Sequence, residues 1–69
     1  MKLSARNQFK GKIVNINEGA VNAVVTIDIG GGNVVTSIIT IGSVKDLGLV
    51  VGGEATAVIK SSSVMVMVD

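Results

Sequence analysis

The chain has 69 residues and a net charge of +1; 48% of its residues are hydrophobic, 16% are charged, and Phe9 is its one aromatic residue. With neither Cys nor His, it cannot build a Cys/His zinc site, a disulfide scaffold, a thiol nucleophile or a Ser-His-Asp triad. It is too apolar for a disordered tail, yet no apolar run reaches the roughly 20 residues that span a bilayer.

Thirteen Val and eight Ile residues favour pleated strands, because β-branched side chains pack well on a sheet surface. Glycines divide the chain into five predicted extended segments and one short irregular one. The first runs from Asn7 to Asn17. Phe9, Gly11 and Ile13 share one face, then Val14 and Ile16 occupy the face held earlier by Lys10 and Lys12, so a bend or bulge is expected, with Gly11 as its place. Glu18-Gly19 is a turn. The second segment, Ala20 to Ile29, presents Val21, Ala23, Val25, Ile27 and Ile29 to one side in unbroken alternation. Gly30 to Asn33 reads as a hairpin loop, and the third segment runs from Val34 to Ile41, with Val35, Ile39 and Ile41 on one face.

Ser43 to Gly48 reads as one helical turn, with Ser43 as the cap, Asp46 at the capping-box position and Gly48 as the stop. Glu54 to Lys60 is the fourth predicted strand, its inward side carrying Ala55, Ala57 and Ile59. Val64-Met65-Val66-Met67-Val68 is the fifth, and both of its faces are apolar. The expected fold class is all-β: a single domain over 1–69, a five-stranded OB-like barrel with one short helical turn between strands 3 and 4. A plain β-sandwich is the alternative.

A domain this short buries only about 60% of its unfolded surface and is marginal without a staple. Disulfides and Cys/His metal sites are unavailable, which leaves oligomerisation. The doubly apolar Val64–Val68 segment is therefore expected at a subunit interface. No signal peptide is recognisable in the opening residues, so a cytoplasmic location is expected, with no membrane association.

The sequence holds no Walker A loop, and the acids Glu18, Asp28, Asp46, Glu54 and Asp69 are scattered rather than paired. An enzyme is not expected. Single-stranded nucleic-acid binding would need stacking aromatics, and one Phe cannot supply them. Two tracts do carry a positive signal. Lys2, Ser4, Arg6, Asn7, Lys10 and Lys12 all precede the first acid, Glu18, and a second acid-free tract from Ala55 to Val68 contains Lys60-Ser61-Ser62-Ser63. Cationic and hydroxyl donors without a competing carboxylate are what a tetrahedral oxyanion requires.

Ser4-Ala5-Arg6-Asn7 with Phe9-x-Gly11, Ile39-Thr40-Ile41-x-Ser43-Val44 and Ala57-x-Ile59-Lys60-Ser61, in that order, closely resemble the molbindins, or Mop proteins. These are small cytoplasmic molybdate-binding proteins, and the likeness covers nearly the whole chain. It implies reversible binding of molybdate, and of tungstate, for molybdenum storage or homeostasis, without catalysis or a cofactor. It also implies a hexamer built as a trimer of dimers, with oxyanions between subunits. By that resemblance Ser4, Arg6, Lys60 and Ser61 bind the oxyanion with the backbone of Ala5, joined by Thr40 from a neighbouring subunit. A second class of site, built mostly from backbone donors, falls around Gly19, Ala20 and Ser43. The competing readings are a structural or protein-interaction barrel that oligomerises without a ligand, and an OB-type nucleic-acid binder.

Overall fold

In the computed structural model, which describes all residues 1–69, the β-branched runs form four antiparallel strands. β1 is Asn7–Glu18, β2 Asn22–Gly30, β3 Asn33–Thr40 and β4 Glu54–Ile59; helix α1 (Ile41–Asp46) lies between β3 and β4, and a 3₁₀ turn covers Ser61–Ser63. The sheet order is β3-β2-β1-β4. β1 serves two neighbours in succession: its first half pairs with β4, from Asn7↔Ile59 to Lys12↔Glu54, and its second half with β2, from Lys12↔Asp28 to Glu18↔Ala23. A strand that hands over from one partner to another must turn, and this one curls the sheet.

The expected change of face in β1 is real, but its seat is Val14 rather than Gly11. Ile13 pairs with Ile27 and Asn15 with Thr26, which leaves Val14 as the extra residue of a bulge. Ile13 therefore points inward at 1% exposure while Val14 is exposed, and Ile16 turns half inward two residues later. Gly11 has a different duty. At the handover β2 crosses so closely that a Cβ on Gly11 would collide with the Asp28 carbonyl oxygen and lie 2.8 Å from Ile27 Cγ2.

The buried core is Ile13, Ala23, Val25, Ile27, Val44 and Ala57. Three of these are the alternating residues of β2, as expected. Val21 departs from that face: it precedes β2 and is exposed. Gly31 and Gly32 form the β2–β3 turn with φ of 64° and 80°, the mirror-image turn whose twist matches the strands.

The helical turn is displaced from its expected position. β3 ends at Thr40, so Ile41 begins the helix rather than ending the strand. The cap is Thr40, not Ser43: its Oγ1 accepts the Ser43 N–H at 3.0 Å. Asp46 closes the helix instead of holding a capping box. Gly48 stops it as expected, at φ 64°. Its N–H donates to the Lys45 carbonyl and the Leu49 N–H to the Val44 carbonyl, which satisfies the final turn.

The fifth expected strand is not formed. β4 ends at Ile59, and Val64–Val68 belongs to no strand. Met65, Val66, Met67 and Val68 are between 86% and 93% exposed. A strand exists only through a neighbour's hydrogen-bonding edge, and this segment meets none within its own chain. No helix is long and apolar enough to cross a membrane.

Candidate functional site

Ser4-Ala5-Arg6 and Lys60-Ser61, from the two acid-free tracts and more than fifty residues apart in sequence, lie at the same end of one strand pair. The register pair Asn7↔Ile59 opens the β1–β4 ladder. Ser4-Ala5-Arg6 therefore leads into one strand where Lys60-Ser61 leaves the other, because the strands are antiparallel. Arg6 and Lys60 are both exposed in the single chain.

Local hydrogen bonds order both halves. Gln8 Nε2 donates to the Ala5 carbonyl at 2.6 Å, which ties the N-terminal arm to the start of β1. On the other side Ser63 N–H donates to the Lys60 carbonyl at 2.9 Å and Val64 N–H to the Ser61 carbonyl at 3.3 Å. These bonds consume carbonyls and leave donors free: no hydrogen bond in the chain uses the backbone N–H of Ser4, Ala5, Arg6 or Ser61. The chain's one ion pair is Lys10 Nζ to Glu54 Oε1 at 3.5 Å, exposed on both sides, so neither Arg6 nor Lys60 is held by a carboxylate. The composition excluded a Cys/His metal site, and no group of three or more metal-ligating side chains forms either.

Thr40 is placed elsewhere. It pairs with Asn22 at the opposite end of the β2–β3 ladder from the hairpin turn, and Ile41 N–H donates to the Val21 carbonyl at 2.9 Å. Gly19 N–H donates to the Asn22 carbonyl at 2.7 Å. Gly19, Ala20, Thr40 and Ser43 thus gather where β1 turns into β2 and β3 enters α1. That end lies the length of β1 away from the Ser4–Arg6 arm, about 36 Å of strand at roughly 3.3 Å per residue before its curl is counted. The expected site residues of one chain therefore fall into two groups, one at each end of β1: Ser4, Ala5, Arg6, Lys60 and Ser61 at its start, and Thr40, Gly19, Ala20 and Ser43 at its finish, where the Gly19 and Ser43 N–H groups are already bonded within the chain.

The Thr40 hydroxyl is already engaged, accepting the Ser43 N–H and donating to Ser43 Oγ at 2.9 Å. A hydroxyl has a single proton, so turning it toward an anion releases the bond to Ser43 Oγ while leaving the helix cap intact. Sequence reasoning missed the capping duty of Thr40, giving the cap to Ser43; the signal that could have found it was a hydroxyl three residues before the capped N–H. The anchoring of Ala5 by Gln8 had no sequence signal, since an amide at a strand start serves many purposes.

Comparison with known proteins bears on what this arrangement serves. The TOBE domain family matches residues 3–66. A probable molybdenum-pterin-binding protein of Haemophilus influenzae is 61% identical over 69 residues, covering the whole of both chains. Among solved structures, MopII from Clostridium pasteurianum superposes with a TM-score of 0.91 at 51% identity, over 97% of this chain and all of that one. The cytoplasmic molybdate-binding protein ModG, with molybdate bound, gives a TM-score of 0.85 at 48% identity over 88% of this chain and 43% of its own. The curled all-β sheet is thus the OB-like fold of the Mop proteins.

Proposed function

The chain belongs to the TOBE-domain family, among its Mop molybdenum-pterin-binding proteins, and from that premise we propose that it binds free molybdate reversibly at a site shared between copies of itself. The observation that carries this reading is the register pair Asn7↔Ile59, which sets the acid-free arm Ser4-Ala5-Arg6 beside Lys60-Ser61.

Arg6 and Lys60 balance the charge of the dianion. Ser4 and Ser61 hydroxyls and the unused backbone N–H of Ala5 fill its acceptor positions. Thr40 joins from a second copy, because its own chain keeps it at the far end of β1. The second donor group, Gly19, Ala20 and Ser43, serves a further oxyanion position. A hexamer arranged as a trimer of dimers brings both ends of β1 against neighbours.

Several physical features favour the bare oxyanion. A pterin ring calls for aromatic stacking, and Phe9 is the one aromatic side chain, pairing across the ladder with Ala57. Molybdate at neutral pH has no proton to give, whereas hydrogen phosphate has one and wants an acceptor; a site without carboxylates penalises phosphate. Tungstate matches molybdate in charge and shape and binds comparably. Sulfate, with shorter bonds, is rejected on size. The role is storage and homeostasis of molybdenum in the cytoplasm, without bond-making.

Equilibrium dialysis against molybdate, with phosphate and sulfate as competitors, tests the reading. Retention of molybdate and tungstate over phosphate is expected. A protein that assembles but retains no oxyanion would instead be a structural barrel, and the reading fails.

A further inference from the structure

The two halves of the oxyanion site are held in different ways. Lys60-Ser61 is fixed by backbone: the Ser63 and Val64 N–H groups close the 3₁₀ turn on the Lys60 and Ser61 carbonyls. The Ser4-Ala5-Arg6 arm has no such support. It precedes β1, and residues 1–6 take part in no backbone–backbone hydrogen bond. Met1, Lys2, Leu3, Ser4 and Arg6 are exposed, so packing does not fix it either. One bond holds the arm, from Gln8 Nε2 to the Ala5 carbonyl oxygen at 2.6 Å. The amide must present its nitrogen end there, because a carbonyl oxygen accepts and never donates. Gln8 has no visible duty in the fold. It is exposed, and so is Val58, its partner across the β1–β4 ladder.

We propose that Gln8 is a positioning residue for oxyanion binding: by holding the Ala5 carbonyl, its amide orders the Ser4-Ala5-Arg6 arm before the ligand arrives. This rests on the reading above that the arm binds molybdate, and it names what keeps the arm ready. The peptide geometry carries the effect from one atom to the next. The Ala5–Arg6 peptide is planar and trans, so its C=O and N–H point in opposite directions. Drawing the Ala5 oxygen onto Gln8 therefore directs the Arg6 N–H away from the Gln8 amide. That N–H is unused within the chain and free to meet an anion. Fixing the same peptide also fixes the Arg6 Cα, from which the guanidinium is carried. An arm ordered in advance loses less conformational freedom on binding, which is where preorganisation raises affinity. Gln8 itself touches no ligand; it acts through Ala5 and Arg6.

Gln8→Met keeps the length of the side chain and removes the donor; Gln8→Ala removes both. Each is compared with the parent by calorimetric titration with molybdate, and by amide nitrogen relaxation, melting midpoint and solution mass without ligand. Both variants should bind molybdate about three- to tenfold more weakly, the effect of one net hydrogen bond. The Arg6 amide order parameter should fall from the rigid range, about 0.85, toward the flexible range below about 0.6, and molybdate should restore it. Midpoint and mass should stay at the parent values, because Gln8 is exposed. Equal affinity in parent and variants overturns the Gln8 assignment while leaving molybdate binding intact. Weaker binding with an unchanged Arg6 amide overturns it too, as does weaker binding in both variants with a lowered midpoint or mass, which would make Gln8 a structural residue. A parent that retains no molybdate overturns the binding reading itself, and this assignment with it.

Discussion

Replacing Gly11 by Ala adds one methyl group at the one place where β2 crosses β1 without room for it. The new Cβ would meet the Asp28 carbonyl oxygen and stand 2.8 Å from Ile27 Cγ2, closer than real Cβ atoms approach their neighbours. One of those neighbours is backbone and the other belongs to a core residue 5% exposed, so neither can swing aside. Relief requires prising β2 from β1 at Lys12↔Asp28, next to the bulge. Overpacking of this kind costs typically 1–3 kcal/mol. Taking about 2 kcal/mol, and 4–8 °C per kcal/mol for a domain of this size, the melting midpoint should fall by about 8–16 °C. Gly42→Ala is the control, because the chemical change is identical and the setting is opposite. Gly42 lies in the first turn of α1, where an added Cβ meets nothing nearer than Thr40 Oγ1 at 3.8 Å. Removing a helical glycine there should stabilise by about 0.5–1 kcal/mol. Differential scanning calorimetry at one fixed protein concentration measures both, since assembly makes the midpoint depend on concentration. If Gly11→Ala melts within 2 °C of the parent, the close approach at the strand handover is not the reason for that glycine.

Arg6→Ala should weaken molybdate binding by about 2 kcal/mol, roughly thirtyfold in Kd by calorimetry, with the ligand-free melting point unchanged because the side chain is exposed and makes no ion pair. Thr40→Ala removes the helix cap and should cost about 1 kcal/mol in the ligand-free protein, whereas Thr40→Ser keeps the oxygen and most of the stability; chemical denaturation distinguishes them. Ile13→Ala deletes the least exposed large side chain and should cost 2–5 kcal/mol, enough for circular dichroism to show partial unfolding at room temperature. Lys10→Ala should change stability by less than about 1 kcal/mol, since its ion pair with Glu54 is exposed on both sides.

The parts of this protein that follow from local pattern were legible before any coordinates. The inward face of β2 at Ala23, Val25 and Ile27 follows from alternation, the turn at Gly31–Gly32 from backbone freedom, and the helix stop at Gly48 from the same cause. Local pattern misled where two assignments were equally good over a few residues. Thr40 and Ser43 are both competent caps, and the register of β3 against β2, which ends at Asn22↔Thr40, decides in favour of Thr40. The bend in β1 was expected at Gly11, the residue without a side chain. The sheet places the extra residue at Val14 because Ile13 and Ile16 must both face the core, while the lack of a side chain at Gly11 serves the crossing of β2.

The donor inventory of the site, Ser4, Arg6, Lys60 and Ser61 in tracts free of carboxylates, is a property of composition, and composition is complete in one dimension. Which of those donors become neighbours is not. Asn7↔Ile59 is a contact between residues more than fifty positions apart, set by how β1 divides its edges between β4 and β2, and no local preference encodes it. The same holds for Val64–Val68, whose residues have every propensity for a strand yet pair with no edge of their own chain. Strand propensity belongs to the segment, but a strand requires a second piece of backbone, and only the tertiary arrangement tells whether one is within reach.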